Sequence, residues 1–141
     1  MKNFTVHDCH LVPLETISGP EGNMITVKGE ETIPFDVKRI YYLYDIPEGG
    51  SRGAHAHEDL YQLIVATGGS FDMLLDDGVN KRVVKLNQPN YGLYVVPGIW
   101  RELIDFSYGA VCLVLASLTY EDNIVIRDYD DFRKFKNLDQ K

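Results

Sequence analysis

Between residues 39 and 117 the chain is a succession of short segments rich in β-branched and aromatic residues, each cut off by Gly, Pro, Asn or Asp, and no other feature constrains the fold as tightly. Strands are predicted over 39–45, 61–67, 70–75, 82–86, 92–96, 100–106 and 110–117. Gly68-Gly69 and Asp76-Asp77-Gly78 read as hairpin turns, because glycine accepts positive φ and aspartate bonds its own backbone. Helical periodicity is almost absent before residue 120, and only 130–138 reads as a helix. Many short strands at even spacing predict an all-β fold, an antiparallel sandwich or jelly roll, with one short C-terminal helix.

With 141 residues, 45% of them hydrophobic and 25% charged, the chain can fill one ordinary core, so a single domain over 1–141 is expected. Its apolar stretches, such as 110–116, are far shorter than the roughly 20 residues that span a bilayer. The N-terminus, Met-Lys-Asn-Phe-Thr-Val-His-Asp, has no apolar signal core. A cytoplasmic protein without a membrane partner is expected. Cys9 and Cys112 form no Cys-x-x-Cys and no dense framework, which predicts reduced, structural thiols. The net charge of −7 argues against a nucleic-acid partner, which needs clustered Lys and Arg, although a few arginines in a cleft suffice for one diphosphate.

The segment with most chemistry is Gly49-Gly-Ser-Arg-Gly-Ala-His-Ala-His-Glu-Asp-Leu-Tyr-Gln-Leu-Ile-Val-Ala-Thr-Gly-Gly69. On a strand, His55 and His57 point to the same side, so two imidazoles converge on one space. Such a pair can bind a metal or move protons. The segment resembles the first motif of the cupin family, and Gly49, His55, His57, position 62 and Gly69 fit its spacing. Two departures argue against a metal. Position 62 is Gln, where a metal cupin has Glu. The stretch 92–101, which resembles the second cupin motif, ends in Arg101 near the place of the last histidine ligand. A neutral amide is a weak ligand and a fixed guanidinium repels a divalent cation, so no metal and no other cofactor is expected. Two imidazoles with unperturbed pKa near 6.5 remain available for acid and base work.

The blocks Ile33-Pro-Phe-Asp-Val-Lys-Arg-Ile-Tyr-Tyr, Arg52-Gly-Ala-His-Ala-His, Gly92-Leu-Tyr-Val-Val-Pro and Val114-Leu-Ala-Ser together resemble the WxcM-like sugar 3,4-ketoisomerases, cupins that act on dTDP-4-keto-6-deoxyglucose. The likeness runs over roughly 33–135. It implies a cupin jelly-roll barrel in 33–118, with a C-terminal tail and helix in 119–141. It also implies a homodimer, in which strands within 1–32, such as those of Phe4 to Leu14, would touch the partner. The implied reaction is metal-independent and moves the keto group from C4 to C3, toward 3-amino-3,6-dideoxy sugars of bacterial glycans. His55 and His57 would carry the proton transfer, with His57 favoured as base and the reverse order open. Tyr42, Arg52 and Arg101 are the candidate donors to the enediolate, and Arg39 and Arg52 can pair with the diphosphate. Gln62 would line the pocket, while Tyr94 or Trp100 would pack on thymine or the sugar. Arg101, where many relatives carry histidine, leans the product toward the gluco configuration at C4, with galacto open.

Blander readings stand beside these. Tyr41, Tyr42 and Tyr44 suit a core strand, Arg39 and Arg52 suit surface ion pairs, Gln62 suits a cross-strand hydrogen bond, and His7 and His10 suit the surface. The alternative functions are a nucleotide-sugar 3,5-epimerase-like cupin, which would need a His–Asp dyad through Asp59 or Asp105, and a non-catalytic cupin that binds a sugar nucleotide.

Overall fold

The computed structural model describes residues 3–138. A capped 3-10 turn, Val6–Asp8, leads into twelve strands and one helix: β1 His10–Pro13, β2 Glu15–Gly19, β3 Gly22–Thr26, β4 Arg39–Leu43, β5 Arg52–His57, β6 Gln62–Gly68, β7 Phe71–Asp76, β8 Lys81–Leu86, β9 Tyr91–Val95, β10 Trp100–Ile104, β11 Val111–Ala116, β12 Val125–Ile126 and α1 Tyr129–Phe135. Every named strand pair is antiparallel. One five-stranded sheet runs β1-β9-β6-β11-β4 and a second runs β12-β5-β10-β7-β8, while β2 and β3 form a separate hairpin. This is the predicted jelly roll, and each strand predicted between 39 and 117 is present within two residues at either end.

The core lies between the two sheets and contains Ile64, Leu93, Val114, Met73, Leu75 and Leu103 among others. β6 is buried at consecutive positions from Gln62 to Ala66, because its sheet is covered on both faces. On the outer face Tyr94 stacks with Phe35 and Tyr61, their ring centroids 6.4 Å and 6.1 Å away. β4, at the sheet edge, is covered on one face only: Tyr41 and Leu43 are half-buried, whereas Ile40 and Tyr42 stand outside.

One expectation is corrected. Gly68-Gly69 is not a hairpin turn, because β6 and β7 belong to different sheets and the pair carries the chain across between them. Gly69 has φ +64°, and a Cβ there would lie 2.8 Å from Ala110 Cα, so this crossing needs a residue without a side chain. The Asp76–Gly78 turn, by contrast, does close the β7–β8 hairpin. Within Phe4 to Leu14, Val6, Cys9 and Leu14 enter the core, and β1 pairs with β9. The two-residue strand β12 extends the second sheet beside β5, and so brings part of 119–141 into the jelly roll. On the outside of that sheet Trp100, Ile126 and Ala56 receive Phe132 and Tyr129 from α1. Among the described residues, no helix is long and apolar enough to cross a membrane.

Candidate active site

The cleft opens between the two sheets of the jelly roll, with a volume of about 400 Å³. β5 presents His55 and His57 to it, β10 presents Arg101, β4 presents Arg39 and Tyr41, β6 presents Gln62, and the segment around β12 presents Tyr120, Asn123 and Arg127. Cross-strand register accounts for the meeting: Arg101 pairs with His55, Val125 pairs with His57, and Gln62 pairs with Ala116. Alternation along β5 turns both histidines inward, and alternation along β10 turns Arg101 in while Trp100 faces out.

His55 Nε2 and His57 Nε2 are 3.0 Å apart. Their rings stand at 89° to one another. His57, 4% exposed, has its Nδ1 3.0 Å from the Asn123 side-chain oxygen. That oxygen only accepts, so Nδ1 carries the proton and His57 Nε2 is a lone pair. His55 Nε2–H then donates to it. A backbone contact with Gly53 favours the protonated form of His55 slightly, but the geometry falls short of a hydrogen bond and His55 Nδ1 is enclosed without a partner. Burial, reinforced by the Arg101 charge, pushes the His55 pKa down to about 4. The same causes, with His55 added, push His57 to about 2. Both imidazoles are neutral at physiological pH.

Arg101 is 2% exposed. Its Nε donates to the Ile99 carbonyl at 3.0 Å and its Nη1 to Gln62 Oε1 at 2.5 Å. Its Nη2 is buried with no partner. Burial lowers its pKa to about 10, which still leaves it charged at pH 7. The Gln62 amide in turn donates to the Tyr41 hydroxyl at 3.1 Å, so Gln62 is tied up between Arg101 and Tyr41. Burial, partly offset by Arg101, raises the Tyr41 pKa and keeps the phenol protonated. Arg39 is held flat, its guanidinium carbon 4.4 Å from the Tyr41 ring centroid and 5.1 Å from that of Tyr120.

Arg39, Arg52, Arg101 and Arg127 therefore share one small cleft, and among the described residues no Asp or Glu lines it. In a chain of net charge −7 this concentrates positive potential at one place. No group of three His, Cys, Asp or Glu side chains is gathered for a metal among the described residues, and the guanidinium of Arg101 occupies the position beside the histidine pair.

The structure brings together His55, His57, Arg39, Arg52, Gln62 and Arg101 as the sequence suggested, and leaves out three candidates. Tyr42 is 61% exposed on the outside of β4, one residue out of phase with the inward Arg39 and Tyr41. Tyr94 lies on the outer face of its sheet beneath Phe35 and Tyr61. Trp100 packs edge-on against Tyr129, centroids 5.2 Å apart, under α1. Alternation alone could have chosen Tyr41 over Tyr42, since an inward Arg39 implies an inward residue two positions on. Asn123 and Arg127 were missed, and nothing in their local sequence marks them. Asp59, a possible dyad partner, lines a different cavity of about 910 Å³ between the N-terminal segment and α1.

Fold and cleft together define a cupin whose pocket suits proton transfer on an anionic ligand. The family model described as "FdtA: WxcM-like, C-terminal" matches residues 7–137. A TDP-4-oxo-6-deoxy-alpha-D-glucose-3,4-oxoisomerase of Aneurinibacillus thermoaerophilus is 38% identical over 125 residues, 89% of this chain and 90% of that one. Among solved structures, the WlaRB TDP-quinovose 3,4-ketoisomerase of Campylobacter jejuni is 41% identical with TM-score 0.86, covering 90% of this chain and 98% of that chain. A histidine-to-asparagine variant of the 3,4-ketoisomerase QdtA from Thermoanaerobacterium thermosaccharolyticum, in complex with TDP-4-keto-6-deoxyglucose, is 33% identical with TM-score 0.90, covering 97% of this chain and 100% of that chain. The chain belongs to the WxcM-like, FdtA family.

Proposed function

We propose that this protein is an isomerase that moves the keto group of dTDP-4-keto-6-deoxyglucose from C4 to C3. The observation that carries the reading is the neutral histidine pair, 3.0 Å apart, in a cleft lined by arginines and, among the described residues, by no carboxylate. The family membership, and the substrate named for the relatives, support the same choice.

The reaction is a hydrogen shift. A base takes the proton from C3, the C4 oxygen gains negative charge as the enediolate forms, the proton of the C3 hydroxyl passes to the C4 oxygen, and the base returns its proton to C4 as the carbonyl forms at C3. Nothing is oxidised overall, so no redox cofactor enters the balance. The hydrogen-bond chain supports the order favoured from sequence: with Asn123 accepting from Nδ1, His57 Nε2 carries the lone pair beside His55, whereas His55 Nδ1 is enclosed away from the cleft. His57 is then the base, and His55 orients it through its own Nε2. Arg101 Nη2, already desolvated and without a partner, is the donor for the enediolate oxygen, a role that contributes about 3 kcal/mol in comparable sites. Arg39 and Arg52, with Arg127, serve the diphosphate, whose oxygens match the planar guanidinium fork. Metal independence rests on the donor set, because Gln62 is committed to Arg101 and Tyr41 and a guanidinium stands beside the pair. The identity of 41% to a TDP-quinovose enzyme supports the gluco configuration at C4. The exposed Ile40, Tyr42 and Tyr44 outside β4, with Ile17 and Met24 on the β2–β3 hairpin, support a homodimer.

The 3,5-epimerase alternative loses its dyad, since the partner of His57 is the Asn123 amide. The test is a proton NMR time course of dTDP-4-keto-6-deoxyglucose in deuterated water with EDTA-treated protein, beside His55→Asn and His57→Asn. Wild type is expected to give the 3-keto sugar, and each variant to lose turnover while retaining dTDP. Deuterium at C5, or turnover only after metal is restored, would overturn the reading.

A further inference from the structure

The turn that follows β11 ends beside the histidine pair for a reason visible in the backbone. The Asp122 amide bonds Thr119 Oγ1 at 3.4 Å, and the Thr119 hydroxyl donates to Asp122 Oδ2 at 3.1 Å. β12 then pairs Val125 with His57, and the Glu58 amide donates to the Ile124 carbonyl at 3.1 Å. Asn123 is thereby fixed with its side-chain oxygen on His57 Nδ1. The backbone of His57 is held from the other side, its carbonyl accepting from the Gly98 amide at 2.8 Å.

We propose that Asn123 is a positioning residue: by accepting from His57 Nδ1 it holds that ring in one tautomer, which keeps His57 Nε2 as the lone pair that faces His55 Nε2. The proposal deepens the ketoisomerase reading and rests on it. A carboxylate at 123 would hold the same tautomer, as aspartate does in hydrolytic triads, but would also draw a proton onto the pair. The amide holds the tautomer without adding charge. The groups facing the pair from every side are otherwise cationic or neutral: Arg101 from β10, Arg127 beyond β12, Arg52 from β5 itself, Arg39 and Tyr41 from β4, and Tyr120 from the turn. Among the described residues, a carboxylate at 123 would be the only one lining the cleft, so its effect on titration is not masked by another acid there.

The experiment compares wild type with Asn123→Leu, which removes the acceptor at similar volume, and Asn123→Asp, which keeps it. Long-range proton–nitrogen NMR on protein labelled in its histidines, with His57→Asn for assignment, reads the tautomer directly and needs no substrate. Wild type and Asn123→Asp are expected to show His57 as the Nδ1–H form, and Asn123→Leu to lose it. In kinetics, Asn123→Leu is expected to lower kcat roughly 10- to 100-fold with KM little changed, as loss of an orienting partner does elsewhere. Asn123→Asp should restore most of kcat and move the acid limb of the pH profile upward by about one unit or more. A Nδ1–H form retained in Asn123→Leu, or an acid limb unmoved in Asn123→Asp, would sink the proposal; the second variant serves even where the first folds poorly. Absence of wild-type turnover on the 4-keto sugar, with the tautomers as expected, would overturn the ketoisomerase reading and leave the role of Asn123 in ordering the pair standing.

Discussion

Arg101 shows how a side chain can be a liability for folding and an asset for chemistry. A guanidinium buried without a carboxylate costs more than its hydrogen bonds to Ile99 and Gln62 return, and its idle Nη2 adds to that cost. Arg101→Met is accordingly expected to melt no lower than wild type, yet to lose roughly 100-fold or more in kcat, because the donor to the developing oxyanion is gone. Thermal melts beside steady-state kinetics check both halves, and a marked fall in melting temperature would show that the arginine is structural. The neighbouring tyrosines make a second contrast. Tyr41→Phe removes the hydroxyl that accepts from Gln62 and frees the Gln62–Arg101 link, so activity should fall about tenfold. Tyr42→Phe should leave kcat/KM unchanged, since its ring stands outside the barrel. Equal effects of the two substitutions would contradict the assignment of faces on β4.

At the scale of elements, α1 and β10 form a small apolar unit distinct from the cleft. Asp128 caps the helix by accepting from the Asp131 amide at 3.0 Å, and acidic residues in the first turn and basic ones in the last suit the helix dipole. Seven residues are too few to be helical alone, so the contact of Phe132 and Tyr129 with Trp100 is what keeps α1 in place. Trp100→Ala is expected to destabilise the protein by about 3 kcal/mol while leaving KM for the sugar nucleotide unchanged within error. Denaturant melts and kinetics on the folded fraction separate this from a role in binding. β12 matters in another way: two residues of pairing suffice to bring the 119–127 segment against β5, and this supplies the cleft with Asn123 and Arg127.

For the molecule as a whole, the neutral histidines link stability to pH. In the unfolded chain each takes a proton near pH 6.5, but in the fold His55 resists until about 4 and His57 until about 2. The unfolded state thus binds more protons below pH 6.5, and stability, complete above that value, falls as pH drops toward 4, by at most about 1.4 kcal/mol per pH unit for each histidine. Melting curves at pH 7.5 and 5.0 should show a larger loss for wild type than for the His55→Asn, His57→Asn double variant; equal losses would mean that the pair titrates normally. The wholly sequence-borne part of this protein is local and periodic. Strands announce themselves through β-branched runs and turn residues, and the period of two puts His55 and His57 on one face, so the fold class and the centre of the site were legible. Cupin motif spacing added Gln62 and Arg101, and the family blocks added Arg39 and Arg52. Which tyrosine of β4 faces inward, that Gly68-Gly69 crosses between sheets, and that Asn123 meets His57 across 66 positions were settled only in three dimensions. Sheet order and register decide such contacts, and these depend on how two sheets close over one core, an energy spread over the whole chain that no local stretch of sequence carries.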